Sequence, residues 1–182
     1  MILFVGGDDA DVARVAPVLE AMGVVRRVGG HGNGYVAKLV NNQLWFIHAA
    51  AIGEAMVAAK KAGFEGVEPM GGMDQDEVVK ALEATGMKAG SVCCHTHWAK
   101  PLSDANPEVR KVGVEGLKQS LRDAKRYGAP TVLLVPAVVK KDVSYTDAYS
   151  RSVAEIKKAV PLAEELGVAI AIENVWNQFL LS

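Results

Sequence analysis

The sequence predicts an α/β protein in which a mostly helical N-terminal segment leads into part of a β/α barrel-type sheet. Three observations carry this. After residue 63, short apolar runs at 65–68, 88–94, 131–136 and 168–174 alternate with single helical stretches. Polar residues gather where those runs end: Glu68, His95, His97 and Glu173. Before residue 63, the stretch 36–62 reads as one long helix, weakest at Gly53, where glycine costs about 1 kcal/mol relative to alanine.

In chain order, 2–5 is an apolar run ending at Gly6-Gly7, a first strand. Asp8, Asp9 and Asp11 suit a helix start, and Val12, Val15, Val18, Leu19 and Met22 follow at helical spacing until Gly23. The run 24–28 reads as a second strand. Glycines at 30, 32 and 34 do not follow the first strand of a βαβ unit, so they are rejected as a phosphate cradle. Lys38 and Asn42, four apart, share one face of the next helix, with Asn41 beside them. Gly63 is placed to end that helix in a left-handed conformation, with Lys60 and Lys61 at the negative end of its dipole.

Asp74, with Glu77 three residues on, caps a helix that runs to about Gly86. The segment 108–127 is a long amphipathic helix with Val112, Val114, Leu117 and Leu121 inward. The run 131–136 has the composition of a strand buried on both faces. Residues 138–149 read as a loop, 152–166 as a helix, and 168–174 as the last strand.

Bulk properties set limits on function. A length of 182 residues suits one domain to one and a half, and half the residues are hydrophobic, enough for a sizeable core. Residues 1–62 carry six basic and five acidic side chains and 63–182 carry fourteen and sixteen, so neither part has the basic excess of a nucleic-acid binder. Cys93 and Cys94 are adjacent and cannot pair in an ordinary disulfide, which points to a reducing, cytoplasmic setting. No signal peptide is read at the N-terminus, and the apolar stretch 44–51 is too short to span a bilayer.

Two resemblances follow, meeting at the helix and turn of 54–64. The order VGGDDADVARVAPVLEAMG, then GNGYVAKLVNN and an apolar helix, resembles the β-hydroxyacid dehydrogenase family, which includes 3-hydroxyisobutyrate dehydrogenases, over roughly 2–62. That resemblance implies Lys38 as catalytic acid/base and Asn42 as a substrate contact for a small hydroxy acid. The glycine turn and ribose-binding acid of such enzymes are missing, so NAD(P) binding is not expected.

GFEGVEP, SVCCHTHW, TVLLVP and AIAIENVWN resemble the xylose isomerase-like TIM barrel family of sugar and sugar-phosphate isomerases and epimerases, over 54–182. The resemblance implies strands two to five of a TIM-type barrel, a sugar substrate, and a divalent metal (Mn, Mg, Co or Zn) with Glu173 among its ligands. The other ligands belong to strands the chain lacks, so weak metal binding is expected. His95, His97, Glu68 and Asn174 are candidate substrate contacts, with Asn177 nearby.

Alternatives stay open at several of these positions. Cys93, His95 and His97, which share parity along an extended strand, suit zinc as a set. Glu68 is a substrate-side acid or a simple strand terminus, and Glu173 could be an exposed strand-end acid. Trp98 and Trp176 read as packing at the barrel mouth. The expected organisation is a dehydrogenase-like fragment at 1–53 joined to a partial barrel at 54–182, with open sheet edges able to self-associate.

Overall fold

The computed structural model describes residues 2–139, 143–175 and 179. It divides into two compact units, Met1–Ala58 and Ala59–Ser182.

In the first unit, β1 (Ile2–Val5) pairs in parallel with β2 (Val24–Arg27) across helix α1 (Asp9–Met22). Arg27 ties this turn together by donating to the Gly7 carbonyl at 2.6 Å and to Asp9 at 2.5 Å. Gly34, in the first turn of helix α2 (Asn33–Lys61), approaches β1 so closely that a Cβ would lie 2.9 Å from the Phe4 carbonyl oxygen. Large apolar side chains stay exposed here, among them Phe4, Val18, Leu39, Val40 and Ile47. The expected long helix is unbroken from Asn33 to Lys61. Gly63 follows it at φ +87°, a conformation that favours glycine.

The second unit holds the core. Its strands are β3 (Gly66–Val67), β4 (Lys88–Ala89), β5 (Val92–Cys93), β6 (Thr131–Leu134) and β7 (Ala169–Ile172). All pairings are parallel: β3 with β4, β5 with β6, and β6 with β7. The expected strand at 88–94 is in two pieces, parted at Gly90-Ser91. Its second piece still meets the end of the β3 segment, where Cys93 N–H donates to Pro69 O at 2.9 Å and Gly71 N–H donates to Cys93 O at 2.8 Å. The hydrogen-bonded order is therefore β3, β4/β5, β6, β7, which is sequence order. No closed barrel forms among the described residues.

Helices α3 (Gln75–Thr85), α4 (Pro107–Tyr127), α5 (Tyr145–Lys157) and α6 (Val160–Leu166) follow their expected strands. Asp74 caps α3 by accepting from the N–H groups of Asp76 and Glu77, each at 3.0 Å. Asn106 caps α4, with Pro107 in its first turn. Leu117, Leu121 and Ala124 of α4 are fully buried against Val92, Val132 and Leu134, each Leu or Val contributing about 1.5–3 kcal/mol of burial.

Three sequence expectations need correction. The loop read at 138–149 ends early, because Ser144 caps α5 by accepting from Asp147 N–H at 3.1 Å; residues 140–142 lie outside the described ones. The single helix read at 152–166 is two, because Pro161 has no N–H to continue the helical ladder. The run at 131–136 is also less enclosed than expected: Val132 and Leu134 are buried under helices, whereas Thr131 and Leu133 on the opposite face are only half-buried.

Candidate functional site at the carboxyl ends of the strands

Parallel strands in one sheet bring the residues that follow them to one rim. Glu68 leaves β3, His95 follows β5, and Glu173 and Asn174 follow β7. Glu173 extends the ladder one step, its N–H donating to Leu134 O at 3.0 Å, and its side chain is half-buried. The register places Cys93, Leu133 and Ala171 in one row.

Cys93 reports the electrostatics of this rim. Burial pushes its thiol above the ordinary range, and the charges of Glu68, Cys94 and Glu173 push it further in the same direction. The two carboxylates, carried on the outermost strands, therefore both act on the thiol between them. Glu68 and Asn174 are exposed.

The histidines part company. The chain leaves the strand at Cys94 and turns, with His97 N–H donating to Cys94 O at 3.4 Å and Lys100 N–H to Thr96 O at 2.7 Å. The parity expected for Cys93, His95 and His97 ends at that turn. His95 is exposed and rests on the Gly71-Gly72 turn, where a Cβ on Gly72 would lie 3.0 Å from His95 Cε1. His97 is 4 % exposed, and its Nδ1 accepts the Val135 N–H at 3.3 Å. Burial, followed by the charge of His95, holds its imidazole below the ordinary range. Trp98 meets the His97 ring edge-on at 5.3 Å. His97 is thus committed to the end of β6, and the zinc set read from the sequence is not assembled: among the described residues, no three His, Cys, Asp or Glu side chains group closely enough to hold a metal. This donor set does not fit a resident divalent ion.

One functional support was missed in the sequence. Asp123, fully buried on α4, accepts from Gly72 N–H at 2.7 Å, Gln75 Nε2 at 2.6 Å and Gln119 Nε2 at 2.8 Å. It fixes the Gly71-Gly72 turn on which His95 rests. The signal was available, because Ser120, Asp123 and Tyr127 fall on the same helical stripe as Leu117, Leu121 and Ala124.

In the first unit, Lys38 is exposed on α2 and Asn42 is half-buried one turn on. Trp176 and Asn177 lie outside the described residues.

Residues 56–181 match the xylose isomerase-like TIM barrel family, and the chain belongs to it. Its fold is similar to that of 3-keto-D-glucoside 4-epimerase from E. coli, with a TM-score of 0.59 and 19% identity, over 69% of this chain and 52% of that one. D-allulose 3-epimerase from Methylomonas sp. is alike, with a TM-score of 0.58 and 19% identity, over 70% and 46%.

Short stretches also match other proteins. A probable 3-hydroxyisobutyrate dehydrogenase of Mycobacterium tuberculosis is 41% identical over 64 residues, which is 35% of this chain and 22% of that protein. The 2-hydroxy-3-oxopropionate reductase of E. coli is 34% identical over 83 residues, 43% and 28%. The chain thus spans about half the length of these epimerases and under a third of these curated relatives. Among the described residues, no helix is long and apolar enough to cross a membrane.

Proposed function

We propose that residues 54–182 are a partial barrel of the sugar or sugar-phosphate isomerase/epimerase type, weakly active as this chain. Its substrate would be a small sugar carrying a carbonyl. Glu173 takes the proton from the carbon beside that carbonyl, and Glu68, on the opposite side of Cys93 and carrying a proton taken from solvent, is placed to give it back. Glu173 then releases its proton to solvent, so the protein ends as it began and the centre is moved or inverted. Asn174 and His95 contact the hydroxyls. His97 acts through the backbone of β6 as a positioning residue. The carrying observation is that the parallel pairings bring Glu68, Cys93 and Glu173 to one rim of the sheet, the two carboxylates following its two outer strands.

A divalent metal would meet Glu173 alone of the usual family set, and one carboxylate holds such an ion weakly. Manganese titrated calorimetrically should bind more weakly than micromolar, with little difference in Glu173→Gln. The test of the proton step is deuterium uptake from solvent into D-fructose or D-allulose, followed by NMR. Slow uptake that Glu173→Gln abolishes is expected, and uptake no faster than in protein-free buffer would overturn the reading.

A second reading concerns the first unit. The identity over some sixty to eighty residues to hydroxyacid dehydrogenases favours a fragment of that origin at 1–53, spliced within 54–64, with Lys38 and Asn42 as remnants of a hydroxy-acid site. NAD or NADP should leave the melting temperature unchanged; a saturable rise would show a working cofactor site. Sequencing reads that run continuously across codons 50–65 of the source DNA would establish the join as natural.

A further inference from the structure

The second unit has a sheet that is finished on one side only. Its helices cover the face carrying Val92, Val132 and Leu134. The opposite face presents Cys93, Leu133, Ala169 and Ala171, half-buried or exposed. Parallel sheets are ordinarily covered on both faces. Both outer strands are also open among the described residues. Ala169 and Glu173 direct their N–H groups to Pro130 and Leu134 at 2.9 and 3.0 Å, so the alternation of a parallel ladder turns those of Ile170 and Ile172 outward. Beside that edge runs a groove lined by Ile156, Val160, Ala163, Ile170 and Ile172.

We propose that two copies of this chain join through these edges, the β7 of each beside the β3 of the other, to close one eight-stranded parallel barrel. The count of strands points to a second copy. Four parallel strands in sequence order, among the described residues, are half of the eight that close a barrel of this type. A two-fold axis lets both β7-to-β3 contacts form at once, leaves no edge, and covers each bare face with the other. Pairing β7 with β7 would be antiparallel and would leave both β3 edges open. The groove receives the segment that leads into the other copy's β3.

The rim then pools two sets of Glu68, Cys93, His95 and Glu173, which completes a site that one copy holds only in part. This last step rests on the isomerase/epimerase reading; the edge contact does not.

Sedimentation of the full chain at tens of micromolar should give twice its 19.3 kDa mass. Ile172→Pro removes an outward N–H and none of the bonds to β6. Val160→Glu places a charge in the groove at a position 36% exposed in one copy. Both variants should sediment as monomers with native far-UV circular dichroism, and Cys93 should alkylate severalfold faster in them than in the parent. A monomeric parent, or a dimer that survives Val160→Glu and Ile172→Pro, would overturn the proposal. A monomer that still takes up deuterium would sink the closure and leave the proton chemistry standing, whereas a dimer without uptake would do the reverse.

Discussion

The carboxylate of Asp123 accepts the backbone N–H of Gly72 at 2.7 Å, binding the middle of α4 to the turn that follows β3. The same carboxylate holds Gln75 and Gln119, and it is fully buried. Asp123→Ala would leave three donors without their acceptor. A destabilisation of about 3 kcal/mol or more is expected, read from urea unfolding. Asp123→Asn keeps one acceptor oxygen and should lose less. Equal losses in the two variants would mean that volume, and not these hydrogen bonds, sets the cost.

A second constraint on α4 is steric. A Cβ on Gly113 would overlap the Lys100 carbonyl oxygen and lie 2.9 Å from Leu102 Cδ2, and one on Gly116 would overlap Thr96. These glycines let the segment after β5 lie directly on the helix. Gly113→Ala should destabilise by about 1–3 kcal/mol, despite alanine's better helix propensity. A thermal midpoint equal to or above the parent's would show that the segment yields freely.

Stability should fall with acid in two steps. His97 titrates below its ordinary value when folded, because burial and then His95 disfavour its charge. The unfolded chain therefore takes up the proton first, and stability is lost as pH falls through about 6.5 toward the lower folded value. Burial alone would raise Glu155, but hydrogen bonds from Lys158 and Arg110 outweigh it and lower its carboxyl. Its contribution is present above about pH 4.3 and is lost as pH falls through the folded value. Unfolding midpoints from pH 8 to pH 3 should show both steps, with His97→Gln flattening the upper and Glu155→Gln the lower. An unchanged upper step in His97→Gln would assign it to another group.

Much of the second unit was legible because its signals are local. Asp74 with its following N–H groups, Pro107 after Asn106, and Gly128 at φ +72° each fix a helix end within a few residues. The alternation of apolar runs with single helices gave a parallel sheet. What escaped the sequence depends on contacts distant along the chain. Parity could not show that the backbone turns at Cys94, which buries His97 and exposes His95. The half-covered state of Leu133 follows from the sheet having helices on one face, and a four-residue apolar run carries no record of that. The stripe of α4 could mark Asp123 as buried, but its partner at Gly72 lies 51 residues away and nothing local names it.

The convergence of Glu68 and Glu173 on Cys93 can be read directly by thiol chemistry. Only the thiolate alkylates, and Cys94 is almost fully buried, so Cys93 dominates the reaction. Burial and the neighbouring negative charges hold the Cys93 thiol protonated above the ordinary range. Removing one negative charge lowers that barrier to ionisation, so at fixed pH near 8 both Glu68→Gln and Glu173→Gln should alkylate with iodoacetamide faster, and the double variant faster still. The profile of rate against pH should move to lower pH without changing its plateau. High salt should narrow the gap between parent and variants, since Glu68 is exposed and its field is screened. A variant with the parent's profile would place that carboxylate away from the thiol and remove it from the proton-transfer pair. A raised plateau with an unmoved midpoint would mean that the substitution opened access to the sulfur and left its ionisation alone.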